Sequence, residues 1–281
     1  MRVRSFLKSA AVSATAVVAA TAVSAVAAPS ASAAPNNTAI IGDSLVANPA
    51  VQDYLSQKGL AVPGATQPNG AGCATDYRFS RTYGDAAKRP VDDFTCAGAS
   101  VRTGGVHLNE LTDRARNAGA LTNATREVVL LGGANDTYPY VLNQAPMPVP
   151  EIEAQLRSAM ADAIRHARQA APGASIKVVG YPQISNGAGN VCLLNVIPGQ
   201  PTQDLTVHMG EIEAALQRAV QNAAQDERAT FVDLKPASQG HEMCSNDRWM
   251  AGVIDTTAGP HNLPLHMTNA GLEAVARVAA R

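Results

Sequence analysis

The sequence predicts an α/β domain in which helices cover a mainly parallel sheet, and two features carry that prediction. Short runs of β-branched and aliphatic residues recur along the chain, at 38–41, 128–131, 176–179 and 230–234. Stretches with helical periodicity lie between or after most of these runs. Because neighbouring parallel strands must be joined by crossover connections, this alternation favours a parallel sheet with helices on its faces.

Three helices are predicted from the spacing of apolar residues. The clearest covers 151–171, where Pro150 suits the first turn and Pro172-Gly173 ends the helix. A second runs from about 205 to 224, and a third begins near Thr268 and continues to the C-terminus. Their apolar faces contain Ile152, Leu156, Met160 and Ile164, then Met209, Ile212, Leu216 and Val220, then Leu272, Val275 and Val278.

Two long segments, 48–95 and 182–202, lose this periodicity among Gly, Pro, Asn and other polar residues. We predict that both are loops. Because binding residues concentrate on loops held by a rigid scaffold, these segments are expected to select the substrate.

The N-terminus has the features of an export signal. Basic residues precede an Ala/Val-rich stretch that ends in small residues: Arg2, Arg4 and Lys8, then 10–28, then Ala31-Ser32-Ala33. Signal peptidases cut at this small-residue pattern, so 1–33 is predicted to be a signal peptide and 34–281 a single mature domain. A membrane anchor is the alternative, but the stretch is weakly hydrophobic and no basic stop-transfer sequence follows it. The protein is therefore expected to be secreted or to stay in the cell envelope, without a stable membrane anchor.

All four cysteines lie in the predicted mature domain, at Cys73, Cys96, Cys192 and Cys244. Export places them where disulfides persist, and three pairings are possible. We prefer the sequential pairing, Cys73 with Cys96 and Cys192 with Cys244, since each disulfide then braces one loop-rich segment. The sequence contains no close Cys-x-x-Cys pair and no His cluster with ligand spacing, so neither a metal nor another cofactor is predicted.

A serine, an asparagine and a histidine stand at the ends of predicted elements. Gly42-Asp43-Ser44-Leu45 follows the first strand, and Gly132-Gly133-Ala134-Asn135-Asp136 follows the strand at 128–131. His266 stands just before the last helix, in Leu265-His266-Met267-Thr268. Each motif alone is typical of an ordinary capping turn. Open α/β sheets build their sites at the carboxyl ends of strands, so together the three residues are candidates for one site.

These motifs resemble the SGNH/GDSL hydrolase family, whose four blocks are a Gly-Asp-Ser, a glycine, a Gly-x-Asn-Asp and a late histidine. The matching residues are Ser44, Gly98 in Cys96-Ala97-Gly98, Asn135 and His266. Two further landmarks are similar to those of the disulfide-containing secreted lipases and phospholipases of the family: Gly180-Tyr181-Pro182 and Gly240-His241-Glu242-Met243-Cys244. The resemblance covers essentially the whole predicted mature domain. It implies a flavodoxin-like, three-layer α/β/α fold around a central, mainly parallel five-stranded sheet, and the sequential cysteine pairing.

The resemblance also implies a chemical role for each matched residue, because the family transfers acyl groups through a covalent intermediate. Ser44 corresponds to the nucleophile and His266 to its general base. The implied oxyanion hole consists of the backbone N–H groups of Ser44 and Gly98 and the side-chain amide of Asn135. Independently of the family, Asp43 and Asp136 are expected to hold the turns around Ser44 and Asn135 by accepting backbone N–H groups.

The last block departs from the family pattern. It is usually Asp-x-x-His, but Leu263 stands where the aspartate is expected. Some secreted lipases that resemble this chain orient the histidine with a main-chain carbonyl, so the carbonyl of Leu263 or of Pro264 is predicted to hold His266. Asp247 and Asp255 are the nearest carboxylates on the N-terminal side, and either is an alternative acid.

The resulting prediction is a hydrolase of lipid or other acyl esters, with a phospholipase A as one form of it. The main alternative is an acyltransferase acting on cell-envelope lipids or glycans, since it shares the first half-reaction. The missing aspartate also allows a catalytically silent binding protein. An unrelated α/β-hydrolase is disfavoured because no serine lies in a Gly-x-Ser-x-Gly sequence.

The expected partners are small-molecule, lipid or glycan esters. The formal net charge is −1 and the chain contains no basic block, so no nucleic-acid partner is expected. The protein is predicted to be a monomer.

Overall fold

A computed structural model describes residues 34–141 and 147–281, and the predicted signal peptide lies outside the described residues. The division into a signal peptide and one mature domain stays a prediction. Over the described ranges, no helix is both long and apolar enough to cross a membrane.

The strands in these ranges are β1 (Thr38–Gly42), β2 (Val91–Asp93), β3 (Glu127–Leu131), β4 (Ser175–Val179), β5 (Asn190–Asn195), β6 (Thr202–His208), β7 (Thr230–Val232) and β8 (Ile254–Asp255). The α-helices are α1 (Ser44–Ala47), α2 (Val51–Gln57), α3 (Arg78–Ala87), α4 (Leu108–Asn117), α5 (Tyr138–Val141), α6 (Val149–Ala170), α7 (Gly210–Asp226), α8 (Lys235–Ser238) and α9 (Asn269–Ala279). A single 3₁₀ turn spans Ala134–Asp136.

The central sheet has five strands in the order β2-β1-β3-β4-β7, and every neighbouring pair is parallel. The predicted three-layer α/β/α fold is confirmed. Every residue of β1 and β3 is buried, which accounts for the apolar runs at 39–41 and 128–131. The connections from β1 and β3 run in opposite directions along the sheet, so a crevice opens beyond the carboxyl ends of these two strands.

Helices cover both faces of this sheet. Helix α6 packs against α7 and α4, whereas α3 packs against α9. Right-handed crossovers place these two groups on opposite faces, because the chain reverses its direction across the sheet after β2.

The strongly periodic elements lie close to their predicted positions. The predicted helix 151–171 is observed as α6 (Val149–Ala170), with Pro150 in its first turn. The last helix, α9, has Thr268 as its N-cap, and the Thr268 side chain accepts the N–H of Gly271 at 3.2 Å. The four predicted strands are β1, β3, β4 and β7.

Two predictions around the second half of the chain are wrong. Segment 182–202 is not a loop throughout, because it contains β5, and the helix predicted from about 205 begins only at Gly210. Residues 202–208 instead form β6, antiparallel to β5. At the start of α7, Gly189 and Gly210 pack backbone against backbone. A Cβ atom on Gly210 would lie 2.8 Å from Cα of Gly189.

Segment 48–95 was also predicted to be a loop, and it contains α2, α3 and β2. Helix α3 is flanked by Tyr77 and Lys88, which both have left-handed backbone conformations. Strand β2 has only three residues, on the edge of the sheet. These elements are short and polar, so their stability depends on packing rather than on a local pattern.

Both disulfides join cysteines that are neighbours in sequence order. Cys73 is bonded to Cys96 and Cys192 to Cys244, with Cα–Cα distances of 5.2 Å and 5.0 Å. The first ties the segment before α3 to the chain after β2. The second ties β5 to the loop before β8.

Candidate active site

Ser44 follows directly from the end of β1. Gly42 ends the strand, and a Cβ atom there would lie 2.7 Å from Val46, so the turn requires glycine. The Asp43 side chain accepts the N–H of Leu45 at 2.9 Å and caps α1, of which Ser44 is the first residue. This confirms the turn-holding role expected of Asp43, and it leaves Ser44 half-buried at the carboxyl edge of the sheet.

Asn135 lies at the equivalent position beyond β3, in the 3₁₀ turn. Gly133 precedes the turn with φ 118°, and a Cβ atom there would lie 2.8 Å from Leu216. The Asn135 side-chain amide donates to the backbone carbonyl of Ala99 at 2.7 Å. A side-chain amide has two N–H groups, so a second donor remains beside the pocket described below.

Asp136 performs a different task from the one predicted. Its buried carboxylate accepts the backbone N–H groups of Val101, Arg102 and Thr103 at 2.7–2.8 Å. It therefore holds the segment after Gly98 rather than the turn around Asn135. The prediction was wrong because the partners of Asp136 are more than thirty residues away in sequence.

Hydrogen bonds hold the backbone on both sides of Gly98. Cys96 donates its N–H to the Gly42 carbonyl at 2.8 Å, and the Ala99 carbonyl accepts from Asn135. Gly98 has φ 87°, a conformation that favours glycine, although a Cβ atom there would meet nothing within 4 Å. The backbone of Gly98 is thus held beside the turns of Ser44 and Asn135, but Gly98 is outside the lining of the pocket that those two residues share.

His266 lies at a bend shortly before α9. Its carbonyl accepts the N–H of Ala251 at 2.9 Å, and its Nδ1 is 2.8 Å from the carbonyl oxygen of Pro264. Between them, Leu265 has φ 60°, which is uncommon for leucine. Of the two predicted carbonyls, the one in contact with the imidazole is that of Pro264. The carbonyl of Leu263 was the other candidate, and the side chain of this residue is buried, with 8% exposure.

The environment of His266 favours its neutral form. Burial lowers the pKa of His266 below the ordinary value of 6.5, and the hydrogen bond to the Pro264 carbonyl offsets this only in part. A neutral imidazole whose Nδ1 donates to a carbonyl leaves Nε2 free to accept a proton.

The two remote carboxylates considered as alternative acids have other partners. Asp255 forms a bidentate ion pair with Arg248 at 2.7 and 2.8 Å, and both side chains are almost fully buried. Burial of Asp255 opposes its charge, but the bonds from Arg248 and from nearby backbone N–H groups outweigh it and hold the pKa of Asp255 well below its usual range. Asp247 is exposed, and its backbone carbonyl accepts from His241 at 2.7 Å.

Tyr181 is a site residue to which sequence reasoning assigned no role. It lies just beyond β4, is fully buried, and donates its hydroxyl hydrogen to Oδ2 of Asp43. Burial raises the pKa of Asp43 to about 7, and the hydrogen bond from Tyr181 limits that rise. The available signal was position, because Tyr181 follows a third strand at the same edge of the sheet as Ser44 and Asn135.

Ser44, Asn135 and His266 line one small pocket of about 50 Å³. Its remaining wall is largely apolar and includes Tyr138, Ile184 and Leu265. A hydroxyl, an amide donor and a neutral imidazole therefore share one pocket, in the crevice beyond the carboxyl ends of β1 and β3. This combination defines the class of protein: a three-layer α/β/α fold with a serine-centred pocket at the carboxyl edge of its sheet.

The comparisons with known proteins agree with that class. The model of the GDSL-like lipase/acylhydrolase family matches residues 40–274. The chain therefore belongs to the GDSL-like lipase/acylhydrolase family, as its motifs predict.

The chain is also similar to three Streptomyces proteins. It is 30% identical to Lipase 2 of Streptomyces coelicolor over 118 residues, a match that spans 41% of this chain but only 38% of that protein. The crystal structure of phospholipase A1 from Streptomyces albidoflavus has a TM-score of 0.52 at 22% identity, and an extracellular lipase from Streptomyces rimosus has 0.52 at 17%. Each alignment covers 85% of this chain and 94% of the other, and at these identities it shows the fold alone.

Proposed function

We propose that the protein is a secreted hydrolase of carboxylic esters, with lipid esters as its substrates, that acts through an acyl-enzyme on Ser44. The observation that carries this proposal is the pocket that Ser44 shares with His266, whose Nδ1 is 2.8 Å from the Pro264 carbonyl. Membership of the GDSL-like lipase/acylhydrolase family supports the reaction class.

In the proposed first step, the Ser44 hydroxyl oxygen attacks the ester carbonyl while Nε2 of His266 accepts the hydroxyl proton. His266 then gives this proton to the leaving alcohol. In the second step His266 takes a proton from water while the water oxygen attacks the acyl carbonyl. The bond between the Ser44 oxygen and the acyl group then breaks, His266 returns the proton to the Ser44 oxygen, and the acid is released. The neutral Pro264 carbonyl holds the imidazole in the required tautomer without a carboxylate.

The developing oxyanion is assigned to three donors: the backbone N–H groups of Ser44 and Gly98 and the free N–H of the Asn135 amide. The turns that carry these donors are held by hydrogen bonds within the fold, so little reorganisation is needed when the charge develops. Such a preorganised site is the usual source of the largest single contribution to acyl-transfer catalysis.

Two observations support lipid esters, and two others support secretion. The pocket wall is largely apolar apart from the site residues, and the similar Streptomyces proteins carry the names lipase and phospholipase A1. The N-terminal sequence pattern and the two disulfides support an extracellular location.

The test is to label the purified protein with a fluorophosphonate and to assay p-nitrophenyl esters and phospholipids, with and without an added alcohol acceptor. We expect ester hydrolysis, an adduct on the peptide that contains Ser44, and no more than trace activity in folded Ser44→Ala. Ser158→Ala, at an exposed serine on α6, is the matched control and should keep full activity. An adduct on another residue would refute the assignment of Ser44, and preferential transfer to the alcohol would identify an acyltransferase.

A further inference from the structure

The second, smaller sheet carries an unusual surface. Strand β5 lies between β6 and β8, and five aliphatic side chains on β5, β8 and the adjoining turns are each 45–54% exposed: Leu194, Val196, Ile197, Val253 and Ile254. We call these five residues the apolar patch. Single exposed aliphatic residues are common, but a contiguous group is typical of a binding surface.

Strand pairing places Leu194, Val196 and Ile254 on one face. Leu194 is the register partner of Ile254 in the parallel pair of β5 and β8, so both side chains are on the same face. Val196 follows on that face, because Asn195 between them is fully buried on the other. Ile197 opens the next turn, where Gln200 donates its N–H to the Ile197 carbonyl at 3.1 Å.

The strand pair of β5 and β8 buries its polar face and exposes its apolar face, the reverse of the usual arrangement. The inner face buries the polar groups Asn195, Asp255 and Arg248, and Asn195 donates to Asp255 at 3.1 Å. The outer face exposes aliphatic groups. Burial of apolar area drives folding, so a strand pair that buries its polar face and exposes its apolar face gains stability once the apolar face is covered by a partner.

One end of the patch also lies beside the rim of the pocket. Leu265 lines the pocket and is 40% exposed, and its backbone N–H donates to the carbonyl of Gly252 at 3.1 Å. Val253, the next residue, is the first member of the patch on that segment. Val253 therefore lies close to Leu265, the residue next to His266.

The charge of the patch indicates an uncharged partner. The segments 192–200 and 250–258 contain a single charged side chain, Asp255, which is buried against Arg248. A neutral, apolar surface next to a pocket for esters suits a lipid–water interface better than a charged macromolecule. A second copy of the chain on this surface would cover the rim of the pocket and obstruct it.

We propose that the apolar patch docks on the surface of a phospholipid bilayer and delivers ester bonds from that surface to Ser44. This proposal rests on the proposed ester hydrolysis for its substrate, but the docking itself is independent of catalysis. Because the patch carries no charge, docking depends on apolar burial and is insensitive to salt.

The test compares Ile197→Ser/Ile254→Ser with the control Val51→Ser/Leu60→Ser, which changes two aliphatic residues of similar exposure outside the patch. Binding to phosphatidylcholine vesicles is measured by flotation in the Ser44→Ala background, at low and high salt. We expect the patch variant to bind about tenfold or more weakly, because apolar burial drives interfacial binding, while the control binds normally and salt has little effect. With Ser44 restored, vesicle phospholipid hydrolysis should fall in parallel, while hydrolysis of monomeric p-nitrophenyl butyrate stays within about twofold.

Unchanged vesicle binding by the patch variant, or binding that high salt abolishes, would overturn the proposal. So would a patch-dependent dimer of the wild type with unaltered vesicle binding, because a second copy would then be the occupant. Ile197→Ser alone, in an exposed turn, gives the same test if the double variant unfolds. If vesicles bind through the patch but no ester is cleaved, the proposed function fails and the docking surface stands.

Discussion

The hydroxyl of Tyr181 donates a hydrogen bond to Oδ2 of Asp43 and accepts the backbone N–H of Ala134 at 3.0 Å. One buried oxygen therefore joins the turn that carries Ser44 to the turn that carries Asn135. Because both turns supply proposed oxyanion donors, Tyr181 is assigned as a positioning residue for the site. It has no proposed contact with the substrate.

Tyr181→Phe is expected to lower kcat by about 10–100-fold with a smaller change in KM, since small displacements of catalytic groups are costly. Removing the hydroxyl also removes a bond that favours the ionised form of Asp43. The pKa of Asp43, about 7 in the wild type, should rise, and the acidic limb of the activity profile should move to higher pH. The measurement is kcat and KM from pH 5 to 9. A lower Tm with an unaltered pH profile would show that Tyr181 only stabilises the fold.

Asn135→Ala should lower kcat by about 10²–10³ with a smaller effect on KM, as expected for a donor used mainly in the transition state. Steady-state kinetics on a soluble ester provides the measurement. Asn123→Ala, at an exposed loop position, is the control and should behave as the wild type. A change confined to KM would contradict the oxyanion role of Asn135.

The substitution Asp255→Asn distinguishes a structural role of the Asp255 carboxylate from a catalytic one. The substitution leaves Arg248 buried without its counter-ion, so the free energy of unfolding should fall by about 3–5 kcal/mol in denaturant titrations. The kcat of the folded fraction, counted by fluorophosphonate titration, should stay within about tenfold of the wild type. Asp247→Asn, at an exposed side chain, should change neither quantity. Loss of a true triad acid costs on the order of 10⁴ in kcat, and such a loss would make Asp255 the third catalytic residue.

The pH dependence should reflect the lowered pKa of His266. The imidazole accepts a proton from Ser44 only when it is neutral, and burial lowers its pKa below 6.5, so it should be protonated only at more acidic pH. NMR titration of the imidazole in Ser44→Ala measures the pKa of His266 directly, apart from any effect of Asp43 on the pH profile of activity. An imidazole pKa above 6.5 would indicate a carboxylate partner and would contradict the dyad with Pro264.

The site also shows which functional residues can be predicted from sequence motifs. Ser44, Asn135 and His266 were named from turns at element ends, and the structure brings all three to one pocket. The roles of neighbouring residues could not be predicted from motifs in the same way. The role of Tyr181 depends on contacts with Asp43 and Ala134, which are 138 and 47 residues away in sequence.

The sequence by itself determined the parallel sheet, the long helix α6 and the order of the site motifs, because apolar periodicity and turn chemistry are local properties of the chain. Only the tertiary structure decided the pairing of β5 with β6 and β8, the start of α7 at Gly210, and the ion pair that occupies Asp255. These features depend on backbone pairing and charge burial between segments distant in the chain. A carboxylate near a histidine in sequence is equally compatible with catalysis and with a buried arginine, and only packing determines which of the two it meets.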